Sequence, residues 1–266
     1  TRVWNRGFAG ALAAIDRNSP ALPVVDLPGA CRLTLLSPDH ARLLDLKDNW
    51  EKELKAARLP AGDPAKLRER LAASRNLRPL GDVLGADEAF ALAAPDADTE
   101  LADTLGGDSG EPGADAPFGG DTSRANGSSI ALLLDFPAPQ PEVRLLLAGD
   151  AWPSVLAASL DRLLAPGKRL ALDGFKLPHH GSVANVSEAL LGKLSCANYL
   201  ISTNGAIFRH PHARCIDLLL KAHAASGKPR LHFNYLTPTT EAWRSPADQT
   251  TRGYQAFHPK GLSLVF

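Results

Sequence analysis

The stretch Asp173-Gly174-Phe175-Lys176-Leu177-Pro178-His179-His180-Gly181-Ser182 decides how this chain is read. Apolar residues lead into it, a proline stops the strand, two imidazoles follow at once, and Gly181 permits a tight backbone turn. Two other segments have the same form. Arg144-Leu145-Leu146-Leu147-Ala148-Gly149-Asp150 ends on a carboxylate, and Asn198-Tyr199-Leu200-Ile201-Ser202-Thr203-Asn204 leads to Arg209-His210-Pro211-His212. Each reads as a short buried strand that delivers polar, metal-capable side chains at its carboxyl end. Repetition of that arrangement is how α/β enzymes build sites.

The surrounding text supports an α/β domain, because apolar runs of strand length alternate with segments of helical period. Strands are expected at 32–37, 130–136, 143–148, 170–177 and 199–203, with short ones at 231–235 and 262–266. The Pro-rich link at Pro137, Pro139 and Pro141 joins two of them as a hairpin. Helices are expected at 39–58, capped by Ser37 or Asp39, at 64–74, at 152–164, at 187–194 with Ser187 near its cap, and at 213–225. Residues 10–15 read as a helix-like start.

The formal charge of zero is a cancellation. Residues 81–125 hold eleven acidic side chains and one basic one, Arg124, whereas residues 1–80 and 126–266 each hold fourteen basic against nine acidic. The mild basic excess outside the acidic segment suits an anionic substrate. Residues 79–125, dominated by Gly, Pro, Asp and Ala, offer too little apolar surface to offset their own ordering, and read as a surface insertion or mobile loop. The twelve-residue calcium-loop spacing is absent from them. Cys31, Cys196 and Cys215 are odd in number and widely spaced, which excludes a disulfide framework and a zinc ribbon and leaves them as core residues. That usage leans towards a reducing compartment, and a cytoplasmic location is the expectation. No run reaches the length of a membrane span. The chain contains no methionine, position 1 included, so an internal or processed start is expected, with an N-terminal portion lying before Thr1.

No nucleophile elbow, Gly-rich dinucleotide loop or phosphate-binding loop is present. Asp150 has two readings, an N-cap for the helix at 152–164 and an engaged site carboxylate. On an extended backbone His179 and His180 would point opposite ways, so one would face a metal and the other would support it. His210 and His212 are candidates for substrate binding, proton donation or metal ligation, and Arg209 for pairing with phosphate or carboxylate. His40, His223, His232 and His258 stand alone and read as surface or core residues. Asp and His together at strand ends point to a transition metal, zinc before others.

Taken in order, Asn126-Gly127-Ser128-Ser129, Leu147-Ala148-Gly149-Asp150, Lys176-Leu177-Pro178-His179-His180-Gly181-Ser182 and His210-Pro211-His212 resemble the C-terminal half of metallo-β-lactamase-fold hydrolases. The nearest branch is that of the ComEC-type DNA-uptake domains, which Leu35-Leu36-Ser37-Pro38 and the following leucine-rich helix also fit. The resemblance implies an αββα sandwich over residues 1–266, incomplete at its N-terminus, with one or two zinc ions along one edge. It implies Asp150 as bridging metal ligand and catalytic carboxylate, His179 or His180 as the late histidine ligand, and a metal-activated water as nucleophile. His210 and Asn204 would act with it, while Arg209, His212 and Asn126 would contact substrate. The family's His-x-His-x-Asp-His motif is absent from these 266 residues. The expectation is therefore that a preceding half or a partner chain completes the site. The expected activity is hydrolysis of phosphodiester or nucleic-acid-like substrates. A non-catalytic binding or scaffold domain is the competing reading, and a lactonase or thioesterase of the same fold is a third.

Overall fold

The computed structural model describes residues 12–56, 66, 69, 120–205, 208–223 and 227–258. Among them the chain forms one eight-stranded mixed sheet, one two-stranded sheet and flanking helices, an α/β arrangement. β1 (Val24–Leu27), β2 (Cys31–Ser37), β3 (Ala131–Phe136) and β4 (Val143–Leu147) follow one another antiparallel. Beyond β4 the sheet turns parallel, through β6 (Gly174–Lys176), β8 (Asn198–Ile201), β9 (Arg230–Phe233) and β10 (Gln255–Phe257). The small sheet pairs β5 (Leu170–Leu172) with β7 (Leu194–Cys196) in parallel.

The switch to parallel pairing is what positions the site. Leu147 lies opposite Lys176, Lys176 opposite Leu200, and Ile201 opposite Phe233, so four strands end on the same edge. Connections between parallel strands need helices on the faces, and those strands read as near-continuous apolar runs because both faces are covered. Leu146, Phe175, Tyr199, Ile201, Leu231 and Phe233 are all fully buried. Helix α1 (His40–Ala56) starts where Asp39 accepts from Arg42 N at 3.0 Å, so Asp39 rather than Ser37 is its cap. A one-turn helix α2 (Arg124–Gly127) opens on Ser123. Helix α3 (Pro153–Leu163) buries Val155, Leu156 and Leu160 and is tied to β2 by Ser159 Oγ, which donates to Leu36 O at 2.7 Å. α4 (Glu188–Leu191) is capped by Ser187, and α5 (Ala213–His223) buries Cys215, Ile216 and Leu219. α6 (Pro238–Glu241) and α7 (Pro246–Arg252) precede the last strand.

Several expectations are corrected. The single strand at 170–177 is two strands in different sheets, because Asp173 is held at the head of β4: its amide donates to Arg144 O at 2.9 Å and its carboxylate accepts from Arg144 N at 2.6 Å. Apolar alternation does not register a change of sheet. The helix at 187–194 stops after one turn, and residues 194–196 become β7. Leu12 to Ile15 are not helical; Ile15 bridges to Asp39. Of the helix at 64–74, Lys66 and Glu69 are helical, and the rest, like most of residues 79–125 and all of 262–266, lies outside the described residues. Buried Cys196 and Cys215 are free thiols pushed up to about 12 by burial, as core cysteines are. Among the described residues no helix is long and apolar enough to cross a membrane.

Ser159→Ala leaves the buried Leu36 carbonyl without its donor. It is expected to lower unfolding free energy by about 1–3 kcal/mol, measured by urea denaturation.

Candidate functional site

Backbone geometry defines the site before any side chain does. Gly149, just past β4, has φ +54°, and a Cβ there would meet Ile130 O at 2.6 Å and Ser129 Oγ at 2.7 Å. Asp150 N donates to the same Ser129 Oγ at 3.0 Å, and Gly149 O accepts from His179 N at 2.9 Å. At the end of β6 the chain enters a tight turn, Pro178–Gly181, in which His179 (φ 43°), His180 (φ 57°) and Gly181 (φ 88°) are all left-handed. For residues with a Cβ this conformation is uncommon and costs on the order of 1–3 kcal/mol each. The turn is held from both sides, since Ser182 N donates to His179 O at 2.8 Å and His212 N donates to Gly181 O at 3.1 Å. A Cβ on Gly181 would lie 2.8 Å from Pro211 Cβ, so glycine here is what lets the segment carrying His210 and His212 dock. The expectation that the two histidines point opposite ways rested on extended backbone. The backbone is left-handed instead, and both rings join one cluster with centroids 6.1 Å apart.

A buried polar frame orients this pair. Asp121 Oδ2 accepts from Asn126 Nδ2 and from Asn185 Nδ2, both at 2.8 Å. Asn185 Nδ2 also donates to Asp150 O at 3.0 Å, so its Oδ1 is the atom that faces His179 Nδ1 at 3.1 Å and must accept. Asn126 Nδ2 also faces this nitrogen, at 3.4 Å; the shorter contact is to the Asn185 acceptor, which assigns the proton to His179 Nδ1 and the lone pair to Nε2. His180 reaches the same state by another route, donating from Nδ1 to Ser202 O at 2.6 Å. His212 is the opposite tautomer: its Nδ1 accepts from Val183 N at 3.2 Å, which puts the proton on Nε2.

His210 sits among these rings, 4.6 Å from His212, 5.1 Å from His179 and 6.2 Å from His180 between centroids. It is 2% exposed, and its Nε2 has no hydrogen-bond partner among the described residues. Burial first, and then the neighbouring His212, His179 and His180, push its pKa down to about 2, so the ring is neutral. Beside it opens a cavity of about 370 Å³ lined by His180, Ser202, Asn204, Phe208, His210 and Tyr235, among others. Lys176, next to the turn, is pushed down to about 8 by burial, with the Asp150 charge acting in the opposite direction. The Asp150 carboxylate itself makes no hydrogen bond or ion pair among the described residues.

The predicted residues are thus brought to one edge, with differing placements. His179, His180 and His210 meet there, Asp150 adjoins them through its backbone carbonyl, which accepts from Asn185 Nδ2, and Asn204 lines the cavity. Arg209 is exposed, left-handed at φ 54°, and does not line the cavity. Asn126 and His212, expected as substrate contacts, are buried within the frame. Asp150 is not the cap of α3: that position belongs to Trp152, without a side-chain bond. Asp121 and Asn185 were missed. Asp121 was absorbed into the acidic segment, and Asn185 stood alone among Val183, Ala184 and Val186; the one available signal was the order that returns at Asn126, five residues after Asp121. The solitary histidines are core or surface residues, as read. His223 bonds Tyr199 OH at 2.9 Å, His232 bonds Asn198 Oδ1 at 3.0 Å, and His40 is exposed.

The tautomers suit zinc, because a ligating histidine characteristically donates its other N–H to an oxygen. The count does not: a hydrolytic zinc needs at least three protein ligands, and among the described residues no group of three or more His, Cys, Asp or Glu side chains is arranged to hold a metal ion. Comparison with family models, with curated proteins and with solved structures finds no match to this chain.

Gly181→Ala must strain the turn or expel Pro211, so a loss of about 1–3 kcal/mol in unfolding free energy is expected in denaturant titrations. A second expectation concerns acid. His210 is held well below its usual 6.5, so below that pH the unfolded chain takes up a proton that the folded chain refuses, and stability falls as pH drops through the window towards about 2. His223, His232 and His258, lowered chiefly by burial, act in the same direction. Urea stability of His210→Asn should accordingly depend less steeply on pH below 6.5 than that of the parent chain.

Proposed function

We propose that this chain carries one wall of a hydrolase site for phosphodiester or nucleic-acid-like substrates. In this reading His179 and His180 serve as two zinc ligands, and any ligands beyond these and Asp150 come from outside the described residues. One observation carries the reading: both imidazoles have their Nδ1–H committed to an oxygen, Asn185 Oδ1 and Ser202 O, which leaves two Nε2 lone pairs on one strained turn. The location supports it, since strand ends at the edge where a sheet changes direction are the usual place for α/β sites. The resemblance of the four motifs to metallo-β-lactamase-fold hydrolases, and with it the αββα arrangement, belongs to the same proposal. So do Asp150 as a further ligand, and His210 and Asn204 as groups facing substrate across the adjoining cavity.

The second reading, a binding domain without catalysis, has its own support in the failure of three ligand side chains to converge among the described residues. The two are separable on the full chain. Zinc titration followed by ¹⁵N spectra of the imidazoles should shift Nε2 of His179 and His180 and leave His212 unshifted. Zinc should also raise hydrolysis of bis(p-nitrophenyl) phosphate. Asn185→Ala, which frees the His179 ring, is expected to weaken zinc binding by roughly 10–100-fold. Zinc that shifts neither histidine would remove the hydrolase reading, and an oligonucleotide bound without metal and without turnover would establish the other.

A further inference from the structure

A second polar cavity, of about 310 Å³, lies away from the histidines, between the start of α1 and the first turns of α3. Its lining includes Arg17, Asp39, Arg42, Ser154 and Arg162, three guanidinium groups against one carboxylate. The local pairing leaves positive charge over. Arg17 Nη2 bonds Asp39 Oδ2 at 2.8 Å, which compensates one cation. Arg162 donates to the carbonyls of Asp16 at 3.0 Å and Arg17 at 3.3 Å, contacts that orient the guanidinium without neutralising it. Arg42 has no acceptor for its guanidinium among the described residues, and its Nε is buried without a partner.

Arg42 is nevertheless held in place. Its guanidinium lies over the Trp152 ring, 3.9 Å from the centroid, and Trp152 in turn packs against Gly127, where a Cβ would fall 2.9 Å from the indole. Stacking occupies the face of a guanidinium and leaves its in-plane N–H donors for a second partner, the geometry in which arginine recognises tetrahedral oxyanions. Ser154 stands in the first turn of α3, exposed, with neither its amide nor its hydroxyl donating to another group among the described residues. Trp152, the cap residue, has no side-chain bond to that turn.

The geometry points to a phosphate-binding site formed by Arg42, Arg162 and Ser154, with Arg17 at its rim. Its ligand is a phosphate group, carried by a small phosphorylated molecule or by the backbone of a nucleic acid. The site needs no metal and does not depend on the hydrolase reading of the histidine edge. It is joined to that edge through the chain, because Asp150, Ala151 and Trp152 run from one to the other. A phosphodiester polymer at the histidine edge would thereby gain a second anchoring phosphate.

The test is a titration of the full chain, without zinc, with inorganic phosphate and in a parallel arm with a short oligothymidylate, read on the Ser154 amide and Arg42 Nε–H resonances. Saturable shifts at those two positions are expected. Arg42→Gln should weaken binding about tenfold or more. Because Arg42 also packs on Trp152, a second variant guards against a folding effect. Ser154→Asp places a carboxylate in the first turn of α3, where it favours the helix, and should abolish phosphate binding with no fall in melting temperature. Tighter binding of the oligonucleotide than of phosphate at the same resonances assigns the ligand to a nucleic-acid backbone, and equal binding assigns it to a small phosphate. Shifts that do not saturate, or a Ser154→Asp chain that binds phosphate like its parent, would overturn the site.

Discussion

Three consecutive left-handed residues, His179, His180 and Gly181, form the constraint on which the rest of the site depends. A free chain would not hold histidines in that conformation, since each costs on the order of 1–3 kcal/mol. The strain persists because the turn is bonded on both flanks, to Gly149 O at the end of β4 and from His212 N in the segment after β8. Each flank depends on a glycine. Gly149 gives a carbonyl pose that no Cβ would permit beside Ile130, and Gly181 leaves the space that Pro211 fills. Turn, strand end and docking segment are therefore one unit, and disturbance of any of them should be felt at the histidine rings.

The polar frame explains how the buried rings of His179 and His212 are held in fixed orientations. Hydrogen bonds place a proton on three of the rings: Nδ1 on His179 and His180, Nε2 on His212. Asp121 is the acceptor that sets the sequence of assignments, because it accepts a hydrogen bond from each of two asparagine amides and so turns Asn185 Oδ1 towards His179. One carboxylate at the edge of an otherwise acidic, Gly-rich segment thus decides the tautomer of a histidine 58 positions later. The phosphate site proposed on the other side of Trp152 works by a related principle, with stacking in place of hydrogen bonds as the means of holding a polar group in position.

Much of this was legible in the residues. The parallel strands announce themselves as short apolar runs ending in Asp150, in the His-His-Gly-Ser element and in Asn204, and the structure brings those three ends to one edge. Ser187 at its helix start and the Pro-rich hairpin followed from local chemistry alone. The failures share a cause. The division of residues 170–177 between two sheets, the one-turn helix at 188–191 that gives way to β7, and the burial of Asp121 all depend on partners remote in sequence, Arg144, β5 and Asn185 respectively. Periodicity reports which face of an element is apolar; it carries nothing about which neighbour receives that face.

The division between the two levels is physical. By itself the sequence determined the α/β class, the strand ends that gather polar residues and the need for glycine at position 181, because those follow from side-chain polarity and Cβ sterics within a few residues. Only the tertiary structure decided that both histidines join one cluster, that each has its Nδ1 beside an oxygen acceptor, that Asp150 caps no helix, and that Asn126 and His212 serve the frame. Those outcomes rest largely on hydrogen bonds between residues tens of positions apart, such as Asp121 with Asn185 and His212 with Val183, and a donor chooses its acceptor only once the fold has brought them within 3 Å or so.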